Sequence, residues 1–166
     1  MSLSTCYSFG NVNGAFLGSK HAIAQFLARN PDVSGFRGTL INVSSIGGAV
    51  GLMRCTAYCA AKAAIIGLTR ATALEYGDRG VRRNAILPGY ISTAMLQPIV
   101  DADPIFAGYR NDSLPAGRLG TPQDVAGAAV WLADNGKSAY VTGTVIAVDV
   151  HRSPSLMLRY NYVCHG

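Results

Sequence analysis

Charge is scarce in this sequence. Only 14% of its 166 residues are charged, and the 14 Lys and Arg are scattered, with Arg82-Arg83 the single adjacent pair. A net charge of +5 spread in this way is a solvated surface rather than the basic stripe of a nucleic-acid binder. Cysteine is also sparse. Cys55 and Cys59 lie four residues apart, without a second pair or a nearby His, which argues against zinc and for free thiols in a reducing compartment. No apolar stretch approaches the ~20 residues of a membrane span. The opening MSLSTCYSFG has neither the basic start nor the apolar run of a signal peptide. The expectation is therefore a cytoplasmic protein with no metal, membrane or nucleic-acid partner.

What is present is apolar and rich in glycine. Hydrophobic residues make up 49% of the chain and glycine supplies 19 positions, as in an α/β domain with many tight strand–helix turns. Phe16, Ile23, Phe26 and Leu27 share one face of a helix over 11–29, ended by Asn30-Pro31. Thr39–Ser44 is a β-branched strand, and 56–76 is a long Ala-rich helix whose small residues permit close approach by another backbone. Arg82–Leu87 is a second strand, stopped by Pro88-Gly89. Residues 94–114, broken by proline, read as a long loop over a site. Thr121 caps a helix that opens on Pro122 and runs to about Asp134, and Thr144–Asp149 is a third strand. Strands alternating with helices predict a doubly wound, Rossmann-like α/β sheet of about three parallel strands with helices on both faces. Residues 150–166 lose all periodicity and read as an irregular tail.

The chemistry concentrates in Tyr58-Cys-Ala-Ala-Lys62, thirteen residues after Ser45. Tyr58 and Lys62, at i and i+4, share one helix face. An ammonium beside a phenol favours the phenolate, and such a phenol can donate a proton to a carbonyl or take one from an alcohol. Ser45 follows a strand at its C-terminal end, where parallel α/β sheets bind ligands, and its hydroxyl can meet a substrate oxygen. Tyr-x-x-x-Lys alone recurs by chance, and a helical Tyr and Lys are ordinarily surface neighbours. Asn11 alone is a plain helix cap. No Gly-x-Ser-x-Gly elbow exists, and His21, His151 and His165 lie outside the motif segments, so a serine hydrolase lacks its parts.

Five segments weigh against coincidence: Asn11–Gly14, residues 41–62, Leu87–Thr93, Arg118–Asp124, and Tyr140–Gly143 with Val148-Asp149. In this order they resemble the catalytic part of the short-chain dehydrogenase/reductase family, over about residues 11–149. Residues 1–10 form a stretch outside the resemblance. The resemblance implies NAD- or NADP-dependent hydride transfer between nicotinamide and a small-molecule secondary alcohol or ketone. It assigns Tyr58 as the acid/base, Lys62 as its ionic support and ribose ligand, Ser45 as the residue orienting the carbonyl, and Asn11 as the anchor of a relay water. Pro88, Gly89, Ile91 and Thr93 match the loop along the nicotinamide. The family's Gly-rich pyrophosphate turn has no counterpart here, so the nucleotide-binding half is expected to be missing. The alternative reading is a catalytically dead homologue that docks on a full-length relative, or on itself, through helices 11–29 and 56–76. Two departures stand out. Val150-His151-Arg152 replaces the expected glycine pair, and Arg83 occupies an apolar strand position where a buried cation without a partner would be costly.

Overall fold

A computed structural model describes residues 8–52, 55–97 and 115–150. The expected N-terminal stretch up to residue 7, the tail from 151 and the loop at 98–114 lie outside the described residues. A π-helical turn, Ser8–Asn13, leads into α1, Gly14–Leu27. β1 is Gly38–Val43, followed by a 3-10 turn at Ile46–Gly48 and then α2, Thr56–Tyr76. β2 is Val81–Pro88, α3 is Pro122–Ala133, α4 is the single turn Asn135–Ser138, and β3 is Val145–Val148. Among the described residues no helix is long and apolar enough to cross a membrane.

The three strands form one parallel sheet in the order β1-β2-β3, with Gly38 opposite Val81 and Ala85 opposite Val145. The central strand is buried from Val81 to Leu87, as a strand covered on both faces must be. Ile66 of α2 packs with Ala85, Leu87 and Val145 in the core. The tight return from α2 to β2 passes through Gly80 at φ 75°, and any Cβ there would collide with the Gly35 carbonyl.

Arg82 and Arg83 show how the layers are held. Successive strand residues point to opposite faces. Arg82 turns toward α3 and α4, donating from Nη2 to the Leu132 carbonyl at 2.8 Å and to Asn135 Oδ1 at 2.7 Å. Its guanidinium also stands 5.5 Å from the Phe36 ring centroid. Arg83 turns toward α1 and α2, and it is fully buried as the strand pattern indicates. It is not without partners, however, and that expectation is corrected. Nη1 donates to Thr72 Oγ1 at 2.7 Å and Nη2 to Ser19 Oγ at 2.5 Å. With the Asn42 amide oxygen turned inward, it accepts from Nη2 at 2.8 Å and Nε at 3.0 Å. These acceptors are neutral, so burial still pushes the Arg83 guanidinium down to about 10.

α3 begins as its sequence requires. Thr121 Oγ1 accepts from the Asp124 N–H, and Asp124 Oδ2 accepts from the Thr121 N–H at 2.7 Å, a closed capping box. Arg118 grips the same carboxylate in two bonds of 2.8 and 3.1 Å. Arg118, then the Thr121 N–H, holds the Asp124 carboxyl well below the usual carboxylate range. A depressed carboxyl stabilises the fold above its ordinary value, and the contribution is lost as pH falls through the depressed one. Acid unfolding monitored by circular dichroism should therefore show a loss beginning below about pH 4 that Asp124→Asn removes. Thr121→Ala should lower stability by about 1 kcal/mol at neutral pH, checked by denaturant titration.

Candidate active site

The C-terminal ends of the three parallel strands converge on one edge of the sheet, where such folds bind ligands. β1 runs out through Val43 into Ser44 and Ser45. The Ser44 N–H still donates to the Ile86 carbonyl at 2.9 Å, so the strand ladder holds both serines in line. Ser45 then leaves the strand in an extended conformation and caps the 3-10 turn, its Oγ accepting from the Gly47 N–H at 3.1 Å. Ser45 is buried, and among the described residues its own hydroxyl proton has no acceptor.

α2 carries Tyr58 and Lys62 to the same edge. Lys62 Nζ donates to the Val43 carbonyl at 3.3 Å and lies 5.7 Å from the Tyr58 ring centroid. Desolvation pushes this half-buried ammonium below its ordinary value. An ammonium has three donors, and one bond to Val43 leaves two for a ligand. Gly47 joins the serine to the tyrosine. A Cβ added to it would stand 3.4 Å from Tyr58 Cε1 and 2.7 Å from Leu52 Cδ1, so the turn that binds Ser45 is seated on the phenol ring. Ser45, Tyr58 and Lys62 are thus brought together.

Asn11 is placed differently from a cap. It lies half-buried inside the π-turn Ser8–Asn13, which packs against α2, and α1 starts after Asn13 with no side-chain cap bond. It makes no hydrogen bond to Ser45 or Lys62.

Pro88 ends β2 opposite Val148, and Gly89 follows with its N–H donating to the Val148 carbonyl at 3.1 Å. Ile91 forms a parallel bridge with Gly120, flanked by bonds from Gly120 N–H to Tyr90 carbonyl (2.9 Å) and Ser92 N–H to Gly120 carbonyl (2.8 Å). Thr93 opens a turn, its carbonyl accepting from Leu96 and Gln97 N–H groups at 3.0 Å. The loop from Gly89 to Thr93 is therefore pinned against the start of α3 by main-chain bonds. Sequence reasoning overlooked two participants, Ser44 and the bracing Gly47-Gly48 pair. The doubled serine at the end of a β-branched strand was the available signal. A shallow groove of about 310 Å³ is lined by residues 47–51 with Cys59, Ala60 and Ala63.

Comparison with known proteins gives this geometry a family. A family model described as enoyl-(acyl carrier protein) reductase matches residues 10–150. The chain is 44% identical over 142 residues to "inactive 2-(S)-hydroxypropyl-CoM dehydrogenase 2" of Xanthobacter autotrophicus, covering 84% of this chain and 59% of that protein. The crystal structure of 3-hydroxyacyl-CoA dehydrogenase type-2 from Mycobacterium avium is similar at a TM-score of 0.76 and 35% identity, over 90% of this chain and 56% of the other. ElxO with NADP bound is similar at a TM-score of 0.66 and 32% identity, over 84% of this chain and 54% of the other. The chain belongs to the short-chain dehydrogenase/reductase family. It spans about half the length of the relatives it matches.

Proposed function

We propose that these residues are the proton-transfer half of an NAD(P)-dependent oxidoreductase acting on a secondary alcohol or ketone. One observation carries the reading: at the C-terminal edge of the parallel sheet the turn capped by buried Ser45 lies against the Tyr58 ring, and the Lys62 ammonium stands 5.7 Å from that ring. The donor set suits the nicotinamide end of such a cofactor, because Lys62 keeps two N–H donors for ribose hydroxyls and the pinned 89–93 loop offers a fixed wall. When bound, the nicotinamide supplies or accepts the hydride. The chain's own work is with the proton. Ser45, already accepting from Gly47, has its hydroxyl proton to donate to the substrate oxygen and so orients the carbonyl. Tyr58 gives the proton to that oxygen in reduction and takes it in oxidation. Lys62 places its ammonium 5.7 Å from the Tyr58 ring centroid, beside the group that exchanges the proton. Asn11, on the turn that packs against α2, would hold a water that returns the proton to solvent.

The 166 residues contain no Gly-x-Gly-x-x-Gly turn to cradle a pyrophosphate. The polypeptide of these residues alone is therefore expected to show no NAD(H) or NADP(H) binding at sub-millimolar concentration and no turnover. The outer edge of β1, with Val43 exposed at its end, is also expected to drive self-association at micromolar concentration. Fused behind the N-terminal half of a related dehydrogenase, the same residues should bind cofactor and reduce a ketone. Calorimetric titration, light scattering and a nicotinamide absorbance assay on both proteins test this. A fusion that binds neither cofactor overturns the reading.

A second reading keeps the fold and discards the catalysis: a partner that docks on a full-length relative. It is supported by the similarity to a protein whose own name calls it inactive. A fusion that binds cofactor yet gives no turnover with any ketone would favour it.

A further inference from the structure

Ser44 is buried beside Ser45, and its hydroxyl does not face the substrate side. It donates to the main-chain carbonyl of Lys62 at 2.8 Å. Inside a helix a carbonyl ordinarily accepts only the N–H four residues on, so this second bond, from outside α2, is a tie at one chosen turn. The same carbonyl is approached from a second direction. A Cβ on Gly48 would lie 2.8 Å from the Lys62 carbonyl carbon, 2.9 Å from its oxygen and 2.9 Å from Ser44 Oγ. Nothing larger than glycine fits at that position without moving the helix or the turn. Lys62 closes the link through its side chain, whose ammonium donates to the Val43 carbonyl. Main chain and side chain of Lys62 are therefore both bound to consecutive residues at the end of β1.

We propose that Ser44 is a positioning residue: its bond to the Lys62 carbonyl, with Gly48 packed on the same group, fixes the α2 turn bearing Tyr58 and Lys62 against the β1 end bearing Ser45. The proposal rests on the oxidoreductase reading for why this register matters. The adjacent serines divide the task. Ser45 keeps its hydroxyl for a ligand, while Ser44 spends its own on the helix. Without the tie, the turn is free to drift from the strand end, more of the half-buried Lys62 side chain is hydrated, and the ammonium loses its bond to the Val43 carbonyl. A displacement of even about 1 Å at such a site is enough to cost on the order of 10²-fold in rate.

The test reads Lys62 directly and needs neither cofactor nor turnover. The 166-residue chain at submicromolar concentration is labelled competitively with acetic anhydride from neutral to about pH 11, and mass spectrometry follows the Lys62 peptide. In the wild type, Lys62 should titrate below an ordinary lysine. Ser44→Ala should move its titration up toward the ordinary value, and Gly48→Ala should do the same by forcing the turn off the helix. Ser44→Thr, which keeps the hydroxyl, should stay with the wild type. Should Ser44→Ala fail to fold, Ser44→Cys, of similar volume and with a weak donor, carries the measurement. In the cofactor-binding fusion, Ser44→Ala should lower kcat on the order of 10-fold or more with KM for the ketone changed less than about 2-fold. An unchanged Lys62 titration in a folded Ser44→Ala or Ser44→Cys chain overturns the proposal, whatever the fusion does. If the labelling behaves as expected and the fusion is inert, the positioning holds and the oxidoreductase reading fails.

Discussion

Tyr58→Phe is expected to remove at least ~10²-fold of the ketone-reducing rate in the fusion protein, the usual share of a positioned acid or base. The substitution deletes one oxygen and leaves the ring that lies against Gly47, so the turn holding Ser45 should not move. KM for the ketone should therefore change little, and the loss should fall on kcat. Cofactor affinity, measured by fluorescence quenching, should stay within a few-fold of wild type, because Lys62 and the 89–93 loop are untouched. The steady-state assay decides the matter: a Tyr58→Phe enzyme retaining wild-type kcat would end the proposed proton transfer.

Arg83→Val is expected to have the largest effect on stability, a loss of roughly 3 kcal/mol or more. From burial alone the opposite sign would follow, because exchanging a buried cation for an apolar side chain is often neutral or stabilising. The partners decide it. Valine would take the guanidinium donor from Ser19 Oγ and Thr72 Oγ1, leave the Asn42 amide oxygen with Thr69 Oγ1 alone, and leave the volume of a guanidinium empty between β2 and the two helices. The hydroxyls on α1 and α2 can turn back to helix carbonyls, as Ser19 already does toward Ala15, which limits but does not cancel the cost. Arg83→Lys should recover only part of the loss, since a single ammonium cannot reach all three acceptors in the fork geometry. Urea titration at neutral pH checks both variants, and a Val variant with an unchanged or raised midpoint would refute the argument.

The contrast between these residues shows what the sequence could reveal. Tyr58 and Lys62 were legible because a helix converts a spacing of four into a shared face, and α2 runs over the residues, 56–76, that its apolar and small-residue pattern marked. The three strands were legible within a residue or so at each end, since β-branched runs bounded by Gly and Pro leave little choice. Thr121-Pro122 and Asp124 announced α3 through chemistry confined to four residues. Arg83 was legible in its burial and opaque in its partners, because Ser19 sits 64 residues away and its single hydroxyl has no signature until the fold delivers it. Asn11 taken alone reads as a plain cap for a related reason: a π-turn and an ordinary capped start share the same local residues, and packing against α2 separates them. Ser44 went unnoticed because one of two identical neighbours was assigned to chemistry, and only the orientation around β1 tells them apart.

The two guanidiniums set back to back in β2 also bear on how the chain reaches this structure. An arginine in a half-built sheet remains hydrated, and it gives up that water only when replacement acceptors arrive together. For Arg83 those acceptors come from α1, α2 and β1; for Arg82 they come from α3 and α4, 50 or more residues further along. The α1–α2 layer can close over Arg83 once residues up to β2 are present, whereas the layer over Arg82 must wait for Leu132 and Asn135. That second face of β2 becomes the last region to dry, and a partial structure containing only the α1–α2 layer is held open there by a hydrated cation. Arg82 thereby ties the covering of the second face of β2 to the arrival of α3 and α4.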